Sequence, residues 1–137
     1  MFTYNTEVQL HHTDAAGVLF FSHQFTLAHD AYQSFMHHIG LPLNYFIDRA
    51  AYFLPIIHAK ADYKSPLHVG QKLKIEVAVH HIGHTSFVLH YHLYTEKDQH
   101  CGEVETVHVS MDRKNLKKID LPEELRSKLE FYLSSVD

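Results

Sequence analysis

Apolar residues recur along this chain with two different periods. At Phe25, Ala28, Tyr32, Phe35, Met36 and Ile39 they step by three or four, the spacing that lines one face of an α-helix. Leu27 and Ala31 lie beside that stripe. The helix is therefore apolar over more than half its surface, which predicts a central, buried element. Ser22 is placed to cap its start, and Gly40 with Pro42 to end it. Elsewhere the period is two. Leu73, Ile75, Val77 and Val79 alternate with Lys72, Lys74, Glu76 and Ala78, and Phe87, Leu89, Tyr91 and Leu93 with Val88, His90, His92 and Tyr94. Both runs predict half-buried strands. Residues 3–11, 52–63 and 103–112 read as three more strands, with turns at Gly83 and at Lys97–Gly102 and an irregular stretch through Asp48. Asp120 and Pro122 open a short amphipathic helix with Leu125, Leu129 and Leu133 on one face.

The order is strand, long helix, four strands, short helix. It predicts a single α+β domain over residues 1–137, with a five-stranded antiparallel sheet wrapped round one long central helix. Short turns between successive strands predict a meander. The far face of such a sheet needs cover, and in 137 residues the expected cover is a second copy.

Composition narrows the function classes. The net charge of −4 with neutral histidines argues against a nucleic-acid partner. No apolar run reaches the roughly 18–20 residues of a membrane helix, and residues 1–7 have neither the basic start nor the apolar stretch of a signal peptide. The expectation is a soluble, cytoplasmic protein without a membrane partner. A lone Cys101, read as an ordinary free thiol in a turn, leaves no intramolecular disulfide and no multi-cysteine zinc site. There are 15 histidines, and protonating all of them would turn the charge of −4 into +11. Solution behaviour should therefore be sensitive below about pH 6.5. The adjacent pairs His11–His12, His37–His38 and His80–His81 would point to opposite faces of a strand. His90 and His92 would share a face, with His108 expected nearby. No H-E-x-x-H spacing occurs, so no residue is assigned to a metal.

The stretch from His11 to Phe21 carries the most chemistry. Asp14 precedes a small-residue turn, Ala15-Ala16-Gly17, that leads into the buried helix. Backbone N–H groups at a helix start lack partners and can stabilise an oxyanion. A carboxylate beside them could act as nucleophile or general base in acyl transfer. Asp14 could equally be the cap of an ordinary turn. No Gly-x-Ser-x-Gly elbow and no phosphate-binding glycine loop is present.

Thr13-Asp14-Ala15-Ala16-Gly17-Val18 followed by aromatics resembles the active-site loop of hotdog-fold acyl-CoA thioesterases, in the 4-hydroxybenzoyl-CoA thioesterase-like branch. Phe53 to Tyr63, with Ser65-Pro66 and Gly70, resembles that family's second strand and turn, and Gly83-His84-Thr85-Ser86-Phe87 its hairpin entry. Leu54-Pro55-Ile56-Ile57-His58-Ala59 and His29-Asp30-Ala31-Tyr32 are similar to the 1,4-dihydroxy-2-naphthoyl-CoA thioesterases of phylloquinone and menaquinone synthesis. The resemblance covers roughly residues 3–113. It implies a hotdog fold, hydrolysis of an acyl-CoA, a homo-oligomer (a tetramer built from dimers) and no cofactor beyond the CoA of the substrate. It implies that Asp14 is catalytic and that the Phe21 backbone N–H is the oxyanion donor. Gly17, His58 and Ser86 are implied at the substrate. Two departures stand out. His12 occupies a position that is acidic in many relatives, and Phe21 one that is histidine in a short-chain subgroup; the second favours an aromatic acyl group. The long helix has Asp30 but no Glu, which favours the loop-Asp branch over the helix-Glu branch. The competing classes are a short-chain aliphatic thioesterase, a non-catalytic acyl-CoA or acyl-carrier binding module, and a histidine-rich metal- or pH-responsive protein.

Overall fold

Residues 1–134 are described by a computed structural model; residues 135–137 of the expected domain lie outside the described residues. The elements in chain order are β1 (Phe2–Glu7), α1 (His23–His38), α2 (Leu43–Asp48), β2 (Tyr52–Phe53), β3 (Ile56–Tyr63), β4 (Lys72–Ile82), β5 (Ser86–Thr95), β6 (His100–Val109), β7 (Met111–Asp112) and α3 (Glu123–Glu130). Five strands form one antiparallel sheet in the order β1-β4-β5-β6-β3. The period-two runs do what alternation requires: Ile75, Val77, Leu89, Tyr91 and Leu93 are buried on one face. Against that face lies α1, whose Leu27, Ala31 and Phe35 are fully buried. The off-stripe residues Leu27 and Ala31 are thus core, as an all-round apolar helix requires.

The structure corrects several expectations. Only β4-β5-β6 is a meander. β3 does not pair with β4 but crosses to the far edge and pairs with β6. Local periodicity fixes which face a strand buries, not which neighbour it takes. The first strand ends at Glu7, because residues 10–12 wind into a 3₁₀ turn. The runs 52–63 and 103–112 each break in two, and the fragments β2 and β7 pair separately. Pro55, lacking an N–H, lies in the first break. The irregular stretch contains α2. Ser22 is itself in helical conformation and makes no side-chain cap. Leu133 lies beyond α3, and is 47% exposed; the chain there bridges instead to Val79 of β4. Cys101 is not in a turn but in β6, where it is buried, donates to the Leu93 carbonyl at 3.3 Å and has its thiol pKa raised by burial. His108 is buried on the inner face, opposite to His90 and His92.

A buried glutamine fixes the start of α1. Gln24 Nε2 donates to the Asp62 carbonyl at 3.0 Å and to the Glu103 carbonyl at 3.1 Å, tying the helix to β3 and β6. Gly102 leaves the room for it: a Cβ there would lie 2.8 Å from Gln24 Oε1 and 2.9 Å from Nε2. Gly102→Ala should therefore displace the buried Gln24 amide and break both of its bonds, at a cost of about 1–3 kcal/mol. Urea unfolding would register this as a lower midpoint at unchanged slope. An unchanged midpoint would mean that Gln24 finds equivalent partners.

Candidate active site

Between the 3₁₀ turn and α1 the chain makes a small hairpin closed by backbone bonds. Phe20 N–H donates to the His12 carbonyl at 3.0 Å, Asp14 N–H to the Val18 carbonyl at 2.9 Å, and Gly17 N–H to the Asp14 carbonyl at 3.0 Å. Gly17 has φ +75°, a left-handed conformation that the missing Cβ permits. Two more bonds seat the hairpin on the segment after β3: Leu19 N–H to the Leu67 carbonyl at 2.7 Å, and Val69 N–H to the Gly17 carbonyl at 3.1 Å.

Asp14 stands exposed where this hairpin turns. Its Oδ1 accepts from Ala16 N–H at 2.9 Å and Val18 N–H at 3.2 Å. Among the described residues Oδ2 accepts nothing. One oxygen fixes the rotamer and the turn; the other makes no bond among the described residues. The two readings of Asp14, cap and reactive carboxylate, are thus compatible in one side chain.

His12 supports the hairpin from below. It is buried, and its Nδ1 accepts from Gln9 N–H at 3.0 Å. Nδ1 must therefore be unprotonated, and the neutral tautomer carries its proton on Nε2. Burial, with His11 and His23 nearby, lowers its pKa and favours that neutral form. The histidine that replaces an acidic residue here thus has a structural task that the sequence did not reveal.

The hairpin runs directly into α1. Among the described residues neither Phe21 N–H nor Ser22 N–H meets an acceptor within the chain, as the first donors of a helix do not. The Phe21 carbonyl accepts from Tyr63 Oη at 2.8 Å. Because a trans peptide is planar, this bond turns the Ser22 N–H away from Tyr63. Gln24 and Tyr63 thus hold the helix start from two sides. Sequence reasoning missed both residues, for nothing local marks them.

The remaining expected residues are not gathered here. His58 pairs with Val107 across the β3–β6 ladder and is exposed, on the face that it shares with Lys60 and the half-buried Glu105, turned away from α1. Ser86 opens β5 opposite Val109. That end of the sheet is remote from the Asp62 and Glu103 carbonyls that hold the helix start. Arg113, the first residue of a basic run, is structural: it donates to the carbonyls of Ala50 and Phe46 and lies over the Phe53 ring.

An apolar groove of about 450 Å³ runs between α1 and β3, lined by Phe25, Ala28, His29, Ile56, Ala59 and Thr106 among others. A separate depression beside Phe21 is walled by Leu19, Tyr63 and Pro66.

The sequence profile of the thioesterase-like superfamily matches residues 8–129, nearly the whole chain and all of this site. The chain belongs to that superfamily. It is 33% identical over 119 residues to a 1,4-dihydroxy-2-naphthoyl-CoA hydrolase from Synechococcus elongatus, covering 86% of this chain and 87% of the relative. It is 33% identical over 129 residues to the enzyme of the same name from Nostoc punctiforme, covering 94% and 86%. The crystal structure of a 1,4-dihydroxy-2-naphthoyl-CoA thioesterase from Synechocystis superposes with a TM-score of 0.88 at 29% identity, over 93% of this chain and 94% of that one. This thioesterase-like protein is therefore a thioester hydrolase with the α+β hotdog architecture expected from its sequence. None of its described helices is long and apolar enough to cross a membrane.

Proposed function

We propose that this thioester hydrolase cleaves an acyl-CoA with an aromatic acyl group, and that Asp14 is its catalytic carboxylate. The observation that carries the reading is the division of labour in Asp14, with Oδ1 bonded to the turn and Oδ2 free. The thioester carbonyl oxygen would sit on the unpaired N–H groups at the start of α1, Phe21 foremost. There the helix dipole also favours negative charge. Direct attack by Oδ2 on the carbonyl carbon and activation of a water both use the same oxygen and the same donors. Gly17 serves this arrangement through its backbone, holding the turn that presents Asp14. The groove between α1 and β3 is apolar and suits an aryl group, and the named relatives act on a naphthoyl thioester.

His58 and Ser86 enter this reading only through a second copy, because within one chain they lie away from Asp14. β3 is an edge strand with Ile56, Ile57 and Tyr63 exposed, and an open apolar edge favours pairing with another chain. A homo-oligomer, with a tetramer of two dimers as its full form, is the proposed working state. The reading needs no cofactor, since CoA arrives with the substrate, and no nucleic-acid or membrane partner, and it places the enzyme in the cytoplasm.

Thiol release from 1,4-dihydroxy-2-naphthoyl-CoA, 4-hydroxybenzoyl-CoA, butyryl-CoA and palmitoyl-CoA tests it. The expected result is the highest kcat/KM on an aryl ester. A preference for butyryl-CoA would reassign the substrate to short aliphatic chains. Binding without turnover of any ester would make the protein a binding module.

A further inference from the structure

The outer face of the sheet holds a cluster that the hydrolysis of a thioester does not use. His92 on β5 and Glu103 on β6 are direct cross-strand partners. His100 lies three residues before Glu103, and in a regular strand those two would point to opposite faces. The register shifts between Leu93 and Tyr94: Leu93 faces Gly102 while Tyr94 faces His100, so β6 carries one extra residue, Cys101. Such a bulge re-aims the side chains beyond it. Cys101 and Gly102 are both buried, and His100 and Glu103 both emerge on the outer face.

Three ligand-type atoms meet there. His92 Nδ1 lies 3.3 Å from His100 Nε2, and Glu103 Oε1 lies 3.5 Å from each of them. Zinc bonds of about 2.0–2.1 Å at tetrahedral angles separate neighbouring ligand atoms by about 3.3–3.4 Å. The triangle thus has the dimensions of one face of a metal tetrahedron. The side chains are 33%, 31% and 35% exposed, which leaves the fourth position open to water. Neighbouring groups hold the ligands and suit a cation. His100 stacks on Tyr94 with ring centres 5.1 Å apart. Glu76 faces His92 across the β4–β5 ladder. Lys74, the nearby cation, is engaged by Asp98 at 3.2 Å and by the Tyr94 ring.

We propose that His92, His100 and Glu103 form a binding site for a divalent cation of the zinc class, which clips β5 to β6 at the bulge. Two imidazoles and one carboxylate are ligands for Zn²⁺, Co²⁺ or Ni²⁺ rather than for Mg²⁺ or Ca²⁺. No local spacing marks these three residues as ligands, because they acquire their geometry only through the bulge and the strand pairing.

Titration of tag-free, metal-stripped protein with Zn²⁺ tests the site. The expected result is one zinc per chain, with a rise in Tm of roughly 5–10 °C at a hundredfold excess over Kd. His100→Gln and Glu103→Gln should each weaken binding at least tenfold, whereas His37→Gln, an exposed histidine on α1, should leave it unchanged. Melting curves without metal check that the variants fold. Co²⁺ in place of Zn²⁺ should give a four-coordinate absorption spectrum that His100→Gln abolishes. Absence of stoichiometric binding, or binding of equal strength in both site variants, would overturn the proposal. The second outcome would place the metal on other histidines.

Discussion

Asp14→Asn should lower kcat for thioester hydrolysis by about 10²–10⁴-fold, the range expected when a positioned acid–base group is lost. The substitution is nearly isosteric. Its amide oxygen can still accept from Ala16 N–H and Val18 N–H, so the turn and the helix start should persist. The free oxygen becomes an NH₂ group, which neither attacks a carbonyl nor accepts a proton from water. A turn cap alone would tolerate this change and keep full turnover. Asp14→Ala is the less informative variant, because it removes the cap and the reactive oxygen together. The measurement is steady-state thiol release from the best aryl-CoA ester, with circular dichroism and size-exclusion profiles matched to the unaltered protein. Turnover within a few-fold of the unaltered protein would remove Asp14 from the chemistry.

Acid should weaken the fold through His108. This residue is fully buried, stacked between Tyr32 and Phe87. Its Nε2 lies 2.9 Å from Thr106 Oγ1, which lies 3.0 Å from Tyr91 Oη, and its Nδ1 lies 3.5 Å from the Leu54 carbonyl. A carbonyl only accepts, so Nδ1 carries the proton and Nε2 accepts from Thr106. Burial pushes the pKa from 6.5 down to about 4. The sign follows: between those values the unfolded chain takes up a proton that the folded chain refuses. Stability is therefore complete above pH 6.5 and falls as pH drops towards 4, by about 3 kcal/mol in all. Urea unfolding from pH 7.5 to 4 measures the slope. His108→Gln, uncharged throughout, should flatten the profile relative to the unaltered protein, even though its own stability is lower. Parallel profiles would show that other histidines carry the acid sensitivity.

The α+β class, the buried helix and the five main strands were legible because burial imposes a period on the sequence. Leu27 and Ala31, or Leu89 and Tyr91, announce their faces without reference to any distant residue. The loop around Asp14 was legible for a similar reason, since a turn built on Gly17 is encoded within a few residues. The crossing of β3 to the β6 edge was not. Strand pairing is a contest between distant segments, and the alternation in β3 would serve either neighbour.

Side chains whose partners lie far along the chain were invisible in the same way. Gln24 meets carbonyls at Asp62 and Glu103, and Tyr63 meets Phe21. Nothing beside them in sequence marks a buried glutamine or a tethering tyrosine. His58 and Ser86 looked like site residues on the strength of their motifs, and the ladders place them opposite Val107 and Val109, away from the Asp62–Glu103 pair that holds the helix start. Which faces are buried, and where the turn that carries Asp14 falls, follow from the order of residues alone, because both depend on local periodicity and turn chemistry. Which groups meet at the helix start and on the outer sheet follows from the packing of distant segments. Those meetings depend on strand order and on one bulge, which displace a side chain from one face to the other.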